Sequence, residues 1–246
     1  MQYYVPRAKQ HKHKKMILIF TLIIIVFICF CAFFGFYLNS KQNTFFKEQT
    51  YYYVYAAKSK GTKELKNMKD DVKKHGGAGK VYKKDNLNYL IINVYDDEEL
   101  AKEVVDSNKS IYLDVGLFEL KKKTITKKVK RQIKSDGFVF SYIKKHNDFK
   151  KQVMSLSLNY LSGKISENKL CMEILDLKFK LDEINDEVSK LVGSEVYKII
   201  KNQVNLEMYY YSAFFDDFFK SDKKDSVLCD FVVNLSILGI DFFNNL

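Results

Sequence analysis

Apolar residues follow three different patterns along this chain. They are continuous from Met16 to Leu38, mixed between strand and helix spacing from Tyr51 to Leu120, and spaced by three and four residues from 139 onward. The continuous run, MILIFTLIIIVFICFCAFFGFYL, has 23 residues and no charge. At 1.5 Å rise per residue it spans about 35 Å as a helix, enough for the ~30 Å hydrocarbon core of a bilayer. A transmembrane helix is therefore expected at 16–38. A cleaved signal peptide fits less well, because the run is long and no A-x-A-like site follows it. A lipoprotein signal fits less well too, because Ile28 and Phe30 stand before Cys29 and Cys31. The tail 1–15 carries Arg7, Lys9, Lys12, Lys14 and Lys15 and no acid. By the positive-inside rule it stays in the cytoplasm, which puts the polar spacer 39–50 and everything after it outside.

The middle region opens with YYYVYAAK (Tyr51–Lys58), whose aromatic and β-branched residues favour a strand. TKELKNMKDDVKKH (Thr62–His75) sets Leu65, Met68 and Val72 on one helical face, and Gly76-Gly77 ends that helix. AGKVYKKD (Ala78–Asp85) and LNYLIINVYD (Leu87–Asp96) predict two strands around a tight turn at Asp85–Asn86. DDEELAKEVVDSN (Asp96–Asn108) predicts a second helix, with acids in its first turn where the helix dipole favours them. SIYLDVGLFEL (Ser110–Leu120) predicts a last strand. The order is β-α-β-β-α-β, the ferredoxin-like or split βαβ arrangement. Alternation points Val54, Ala56, Leu90, Ile92 and Val94 toward the two helices. It leaves Tyr53, Tyr55, Tyr89, Ile91 and Asn93 on the other face, flanked by Tyr82 and Tyr112. Tyrosines pair a flat apolar body with a polar tip, so an open cluster of them suits a ligand of mixed character such as a sugar.

The stretch 51–121 resembles the SPOR domain, the sporulation-related repeat of bacterial envelope proteins. Tyr52-Tyr53-Val54-Tyr55-Ala56 is similar to the family's first strand, Tyr89-Leu90-Ile91-Ile92-Asn93-Val94 to its third, and Asp97-Glu98-Glu99-Leu100-Ala101 to the opening of the following helix. The resemblance implies a peptidoglycan-binding module, with glycan strands as partner and Tyr53, Tyr55, Tyr89, Ile91 and Asn93 as contacts. It also implies placement at division or sporulation septa. Three departures stand beside it. Tyr55 replaces the family's glutamine, Leu90 replaces its arginine, and no Gly-Pro-Phe turn follows the third strand. They motivate an alternative: a non-enzymatic membrane scaffold with a degenerate SPOR-like fold, binding a membrane or divisome protein through its helices.

Those helices are predicted from residue 139. Four apolar lines run through Tyr142–Tyr160, Leu170–Leu191, Tyr197–Phe218 and Leu228–Phe242, broken at Ser162-Gly163, Gly193-Ser194 and Ser221–Lys224. Short breaks imply antiparallel neighbours, hence a four-helix bundle at 139–246. The last helix is the most apolar, but Asp230, Asn234 and Asp241 argue against a second membrane span. The expected class is α+β: an N-terminal transmembrane helix, a ferredoxin-like SPOR-like domain, a basic linker at 122–138 and a helical bundle.

Composition changes this picture in two places. The net charge is +11, and KKKTITKKVKRQIK (Lys121–Lys134) concentrates eight basic residues without an acid. The run is either a solvated linker or a contact to anionic lipid or wall polymer, at about 1 kcal/mol per charge near a membrane. Nucleic acid is the usual partner of such a run, and an RNA-recognition module shares the topology. The missing RNP strand pattern and the outside location argue against both. The chain also has 17 tyrosines, 20 phenylalanines, one proline and no tryptophan, so some tyrosines reflect codon bias. No metal, cofactor or catalytic constellation is expected. His11, His13, His75 and His146 make no HExxH spacing. His146 lies on an apolar line. Cys171 and Cys229 are expected as small apolar fillers, with a disulfide as the alternative. The pairs Asp96–Glu99 and Asp216-Asp217 could serve an acid and a base, but acids at a helix start need no such role.

Overall fold

The computed structural model describes residues 48–125, 133 and 136–246. The expected transmembrane helix at 16–38, the tail 1–15 and most of the basic run lie outside these residues. Among the described residues the fold is α+β, with a four-stranded antiparallel sheet and six helices. In chain order these are β1 (Gln49–Ser59), α1 (Lys63–Lys74), β2 (Lys80–Lys84), β3 (Leu87–Tyr95), α2 (Glu98–Asn108) and β4 (Gly116–Lys122). Four longer helices follow: α3 (Gly137–Leu161), α4 (Glu167–Ser189), α5 (Glu195–Phe218) and α6 (Lys224–Asn245). The strands lie in the order β2-β3-β1-β4, so β1 and β3 are central.

Local chemistry explains the boundaries. Asp85 and Asn86 both have positive φ, 49° and 61°, and close the β2–β3 hairpin as a two-residue turn of the kind that matches strand twist. Gly76 ends α1 at φ 81°. The Asp97 carboxylate accepts from the Leu100 amide at 3.0 Å and caps α2. Asp136, Ser166 and Ser194 cap α3, α4 and α5 in the same manner. One expectation needs correcting. Ser110–Val115 is not strand: the Ile111 and Tyr112 amides donate back to the Asn108 carbonyl, so the chain turns off the end of α2 and β4 begins at Gly116. Tyr112 is buried in that turn, against the His75 ring.

The first face of the sheet packs on α1 and α2. Val54, Ala56, Leu90 and Ile92 form one apolar cluster with Leu65, Val72 and Ala101. Pairing between β1 and β3 slips between Val54 and Ala57. Ala56 and Ala57 both join that cluster, and Lys58 turns to the side of Tyr55, whose hydroxyl its amine reaches at 3.5 Å.

The four long helices pack in a ring, α3 on α4, α4 on α5, α5 on α6 and α6 on α3. They do not form a core separate from the sheet. Residues 47–246 make one compact unit, because α6 also packs on β3 and β4. Its buried residues cover most of the helix circumference, Leu228, Phe231, Val232, Leu235, Ile240, Phe242 and Phe243 among them, and leave one line with Asp230 and Ile237 half-buried and Asp241 exposed. That explains why α6 alone, among the described residues, is long and apolar enough to cross a membrane. With 72% of its apolar stretch buried inside the fold, it is a core helix.

Candidate functional site

The second face of the sheet is where sequence reasoning placed an open ligand surface. The structure brings Tyr53, Tyr55, Tyr89 and Ile91 together there and closes most of them off, but pairing skips Ile92, which sets Asn93 opposite Val54 on the face toward α1 and α2 and sets Val94, expected on that face, opposite Tyr53. Tyr53 is fully buried, and its hydroxyl donates to Ser236 Oγ of α6 at 2.9 Å. Its ring stacks on Phe118, its cross-strand partner in β4, with centroids 5.3 Å apart. Ile91 and Asn93 are buried as well. The Asn93 amide donates to the Tyr95 hydroxyl at 3.4 Å, and its carbonyl oxygen accepts from the Val94 amide at 2.9 Å, so its polar atoms serve the protein. Tyr55 is buried over Gly116, where an added Cβ would meet its hydroxyl at 2.5 Å. Tyr55 meets Tyr89 edge to face at 5.1 Å.

The open tyrosine face is thus corrected to a covered one. The physical reason is area. A sheet face lined by Tyr51, Tyr53, Ile91 and Phe118 presents a large apolar surface to water, at about 25 cal/mol per Å². The chain carries its own apolar helix to bury it. Burial pushes the Tyr53 and Tyr51 hydroxyls well above the ordinary tyrosine value, as desolvation of a phenolate requires.

A half-buried rim survives at one edge, made of Tyr82 and Tyr89 against Phe118. Two amines attend it: Lys84 Nζ stands 5.2 Å from the Phe118 ring centre and Lys58 Nζ 5.7 Å from that of Tyr55. Asp114 accepts from the Lys58 amide at 3.2 Å. Sequence alternation had placed Tyr82 and Tyr89, but Lys58 reaches this edge only because of the slip in β1.

A second group was not foreseen. Where α3, α5 and α6 meet β1, the fold buries His146, Lys150, Gln203 and Glu207. His146 Nδ1 pairs with Glu207 Oε1, which also accepts from Gln203 Nε2 at 2.9 Å. Lys150 Nζ has no hydrogen-bond partner among the described residues and stands 4.2 Å from the Tyr51 ring centre. Burial, with the Lys122 charge nearby, draws its amine down to about 7. Burial likewise draws Lys122 down to about 8. A lysine near neutrality can be a nucleophile, but this one lines a cavity of about 10 Å³. That is room for roughly one water and no substrate. The pattern His146–Lys150 and Gln203–Glu207, two i, i+4 polar pairs inside apolar lines, is the signal that could have flagged the cluster.

Both cysteines among the described residues are free thiols. Cys229 is a buried filler, its thiol pushed up to about 12 by burial, and Cys171 is half-buried. Among the described residues, no three His, Cys, Asp or Glu side chains gather as metal ligands do. Comparison of the chain with protein-family models, with curated proteins and with solved structures finds no match. The SPOR likeness therefore rests on the residues quoted above alone.

Proposed function

We propose that this protein is a non-enzymatic membrane scaffold of the cell envelope, anchored through residues 16–38, with a degenerate ferredoxin-like, SPOR-like sheet locked onto its own helical bundle. One observation carries the reading: α6 lies over the tyrosine face, and Tyr53 donates to Ser236 in the interior. Glycan rings cannot stack on side chains that an internal helix already covers. What the molecule leaves free for partners is the outside of its helices and its basic surface. The sheet supplies rigidity, and the helices supply contacts. The C-terminal side of the anchor is extracytoplasmic in this reading, so the partner is an envelope protein rather than nucleic acid.

A second reading has its own observation. Tyr82 and Tyr89, with Lys58 and Lys84 beside them, form an aromatic rim that a glycan end could still meet. The two are separated by co-sedimentation of the full chain, in detergent and at two salt concentrations, with intact and amidase-treated peptidoglycan sacculi. The scaffold reading expects retention that is equal on both samples and lost at high salt, as the +11 charge alone would give. Salt-resistant retention specific to amidase-treated sacculi, abolished by Tyr89→Ala, would overturn it in favour of the rim.

A further inference from the structure

Helix α6 is held to the rest of the fold unequally along its length. Its first half is anchored by satisfied contacts. Asn234 accepts from the Lys80 amine of β2 and donates to Asp230 at 3.0 Å. Phe231 meets Tyr211 and Phe214 of α5, with ring centres 5.1 and 4.7 Å away. The second half, 236–245, lies over polar groups of α3 that the fold leaves unpaired. Tyr142 Oη, His146 Nε2 and Lys150 Nζ are buried and have no hydrogen-bond partner among the described residues. All three belong to side chains that touch this half. The Tyr142 and His146 rings meet the Phe242 ring at 5.9 and 5.3 Å. A Cβ added at Gly239 would stand 3.1 Å from Lys150 Nζ and 3.3 Å from His146 Nε2. Unpaired buried polar groups are rare in folded proteins, and each one favours any state that hydrates it. Gly239 is itself a poor helix residue. Against this, the hydrogen bonds from this half to the sheet among the described residues are Tyr53 to Ser236 at 2.9 Å and the exposed Lys123 amide to Asn244 at 3.2 Å.

Lys150 decides when this half lets go. Around its amine stand Tyr51 of β1, Lys122 of β4, Asp96 after β3, His146 and Lys151 of its own helix, and Glu207 and Tyr211 of α5, while α6 sets Gly239 against it. The cavity beside it, about 10 Å³, has room for roughly one water, far less than an ammonium takes in solution. Closed, the amine sheds its proton above about 7. Lifted into water, it keeps the proton up to its ordinary value of about 10.4. Lifting therefore takes up a proton between those values, and each unit of falling pH favours it by up to about tenfold. Below about 7 both states hold the proton and the dependence ends.

We propose that residues 236–245 of α6 are a proton-coupled lid over the aromatic sheet face, which lifts as Lys150 is charged and hydrated and uncovers Tyr53. The inference rests on the scaffold reading, in which α6 seals that face. The test is hydrogen–deuterium exchange of the full chain in detergent between about pH 7 and 9, with rates corrected for the pH dependence of free amides. Peptides from 236–245 are expected to exchange through an opening short of global unfolding, about tenfold or more faster than those from 224–235, and to slow several-fold for each unit of rising pH. Lys150→Met slows them at neutral pH and removes the pH dependence. Lys150→Arg, charged across the range, keeps them fast and equally removes it. Hydroxyl-radical footprinting reads the face itself, with the exposed Tyr209 as internal reference. Tyr53 is labelled several-fold more near pH 7 than near pH 9 in the parent, and equally at both in the two variants. The proposal is overturned if both halves of α6 exchange together with the sheet, or if the pH dependence survives Lys150→Met. Either result with Tyr53 protected at every pH leaves the seal and the scaffold reading standing and removes the lid alone. Tyr53 labelled as fully as Tyr209 at every pH would overturn the lid and the scaffold reading together.

Discussion

The two faces of one sheet are buried in different ways. The face toward α1 and α2 is covered by helices that lie between its own strands in sequence, and its cluster is mainly aliphatic, with Val54, Ala56, Leu65, Val72, Leu90 and Ile92 at its centre and Tyr95 and Tyr112 beside them. The other face is covered by α6, which begins more than a hundred residues after β4 ends. Its residues are aromatic and carry polar tips, and each tip must be satisfied or displaced. Tyr53 finds Ser236 across 183 positions of chain. Lys150 has no hydrogen-bond partner among the described residues and stands over the Tyr51 ring. The lesson is that an aromatic sheet face does not by itself announce a ligand. A chain can supply the occupant from its own far end.

The contrast can be broken or sharpened by substitution, and the largest effect is expected at Tyr53. Tyr53→Ala should cost about 3–5 kcal/mol, as much as Leu90→Ala on the first face, because both open cavities in closed cores. Denaturation of the full chain in detergent measures it. An open face would have made Tyr53→Ala nearly neutral.

Next comes Lys150, whose cost is electrostatic. Its amine sits near 7 in the fold and near 10.4 in an unfolded chain. Between those values the unfolded state holds more protons, so stability rises with pH, by at most about 1.4 kcal/mol per unit. Below about 7 both states are protonated, and Lys150 adds no slope. Lys150→Met should raise stability at neutral pH and flatten the profile between pH 7 and 10. Melting curves across that range check both parts.

Ser236→Ala is smaller. It leaves the buried Tyr53 hydroxyl without its acceptor, at about 1–3 kcal/mol. Smallest is Tyr89→Ala on the half-buried rim, expected below about 1 kcal/mol in the same denaturation assay, since it removes edge contact and opens little interior.

Much of this fold was legible in the sequence, and each part had a local cause. The Asp85–Asn86 turn, the Gly76 stop and the acidic start of α2 are short-range signals, and the structure has all three. The four long helices follow from their spacing, and α4 buries Leu170, Ile174, Leu177, Leu181, Ile184 and Val188 of its expected apolar line. The site was half legible. Alternation brought Tyr53, Tyr55, Tyr89 and Ile91 together, because strand period depends only on neighbours, and it misplaced Asn93 and Val94 because the slip at Ile92 inverts the period after it. It could not report the cover, because α6 has only a narrow polar line, Asp230, Asn234 and Asp241, and apolar residues over the rest of its circumference point to no single partner. The composition of α6 is the clue in hindsight. A bundle helix needs one apolar stripe, and α6 has enough for a bundle and a sheet. The Ser110–Val115 error is similar in kind: Ile111, Tyr112 and Leu113 have strand chemistry, but the backbone was already committed to closing α2.

The central claim, that α6 seals the tyrosine face, is tested most directly by a double-mutant cycle between Tyr53 and Ser236. Denaturation of the full chain is compared for the parent, Tyr53→Phe, Ser236→Ala and the double variant. The account predicts a coupling of about 1 kcal/mol, the net worth of one buried hydrogen bond, with the double variant less destabilised than the sum of the singles. Strict additivity of the two substitutions, with Tyr53→Phe alone costing nothing, would mean that the hydroxyls do not meet and that the face is not closed by α6.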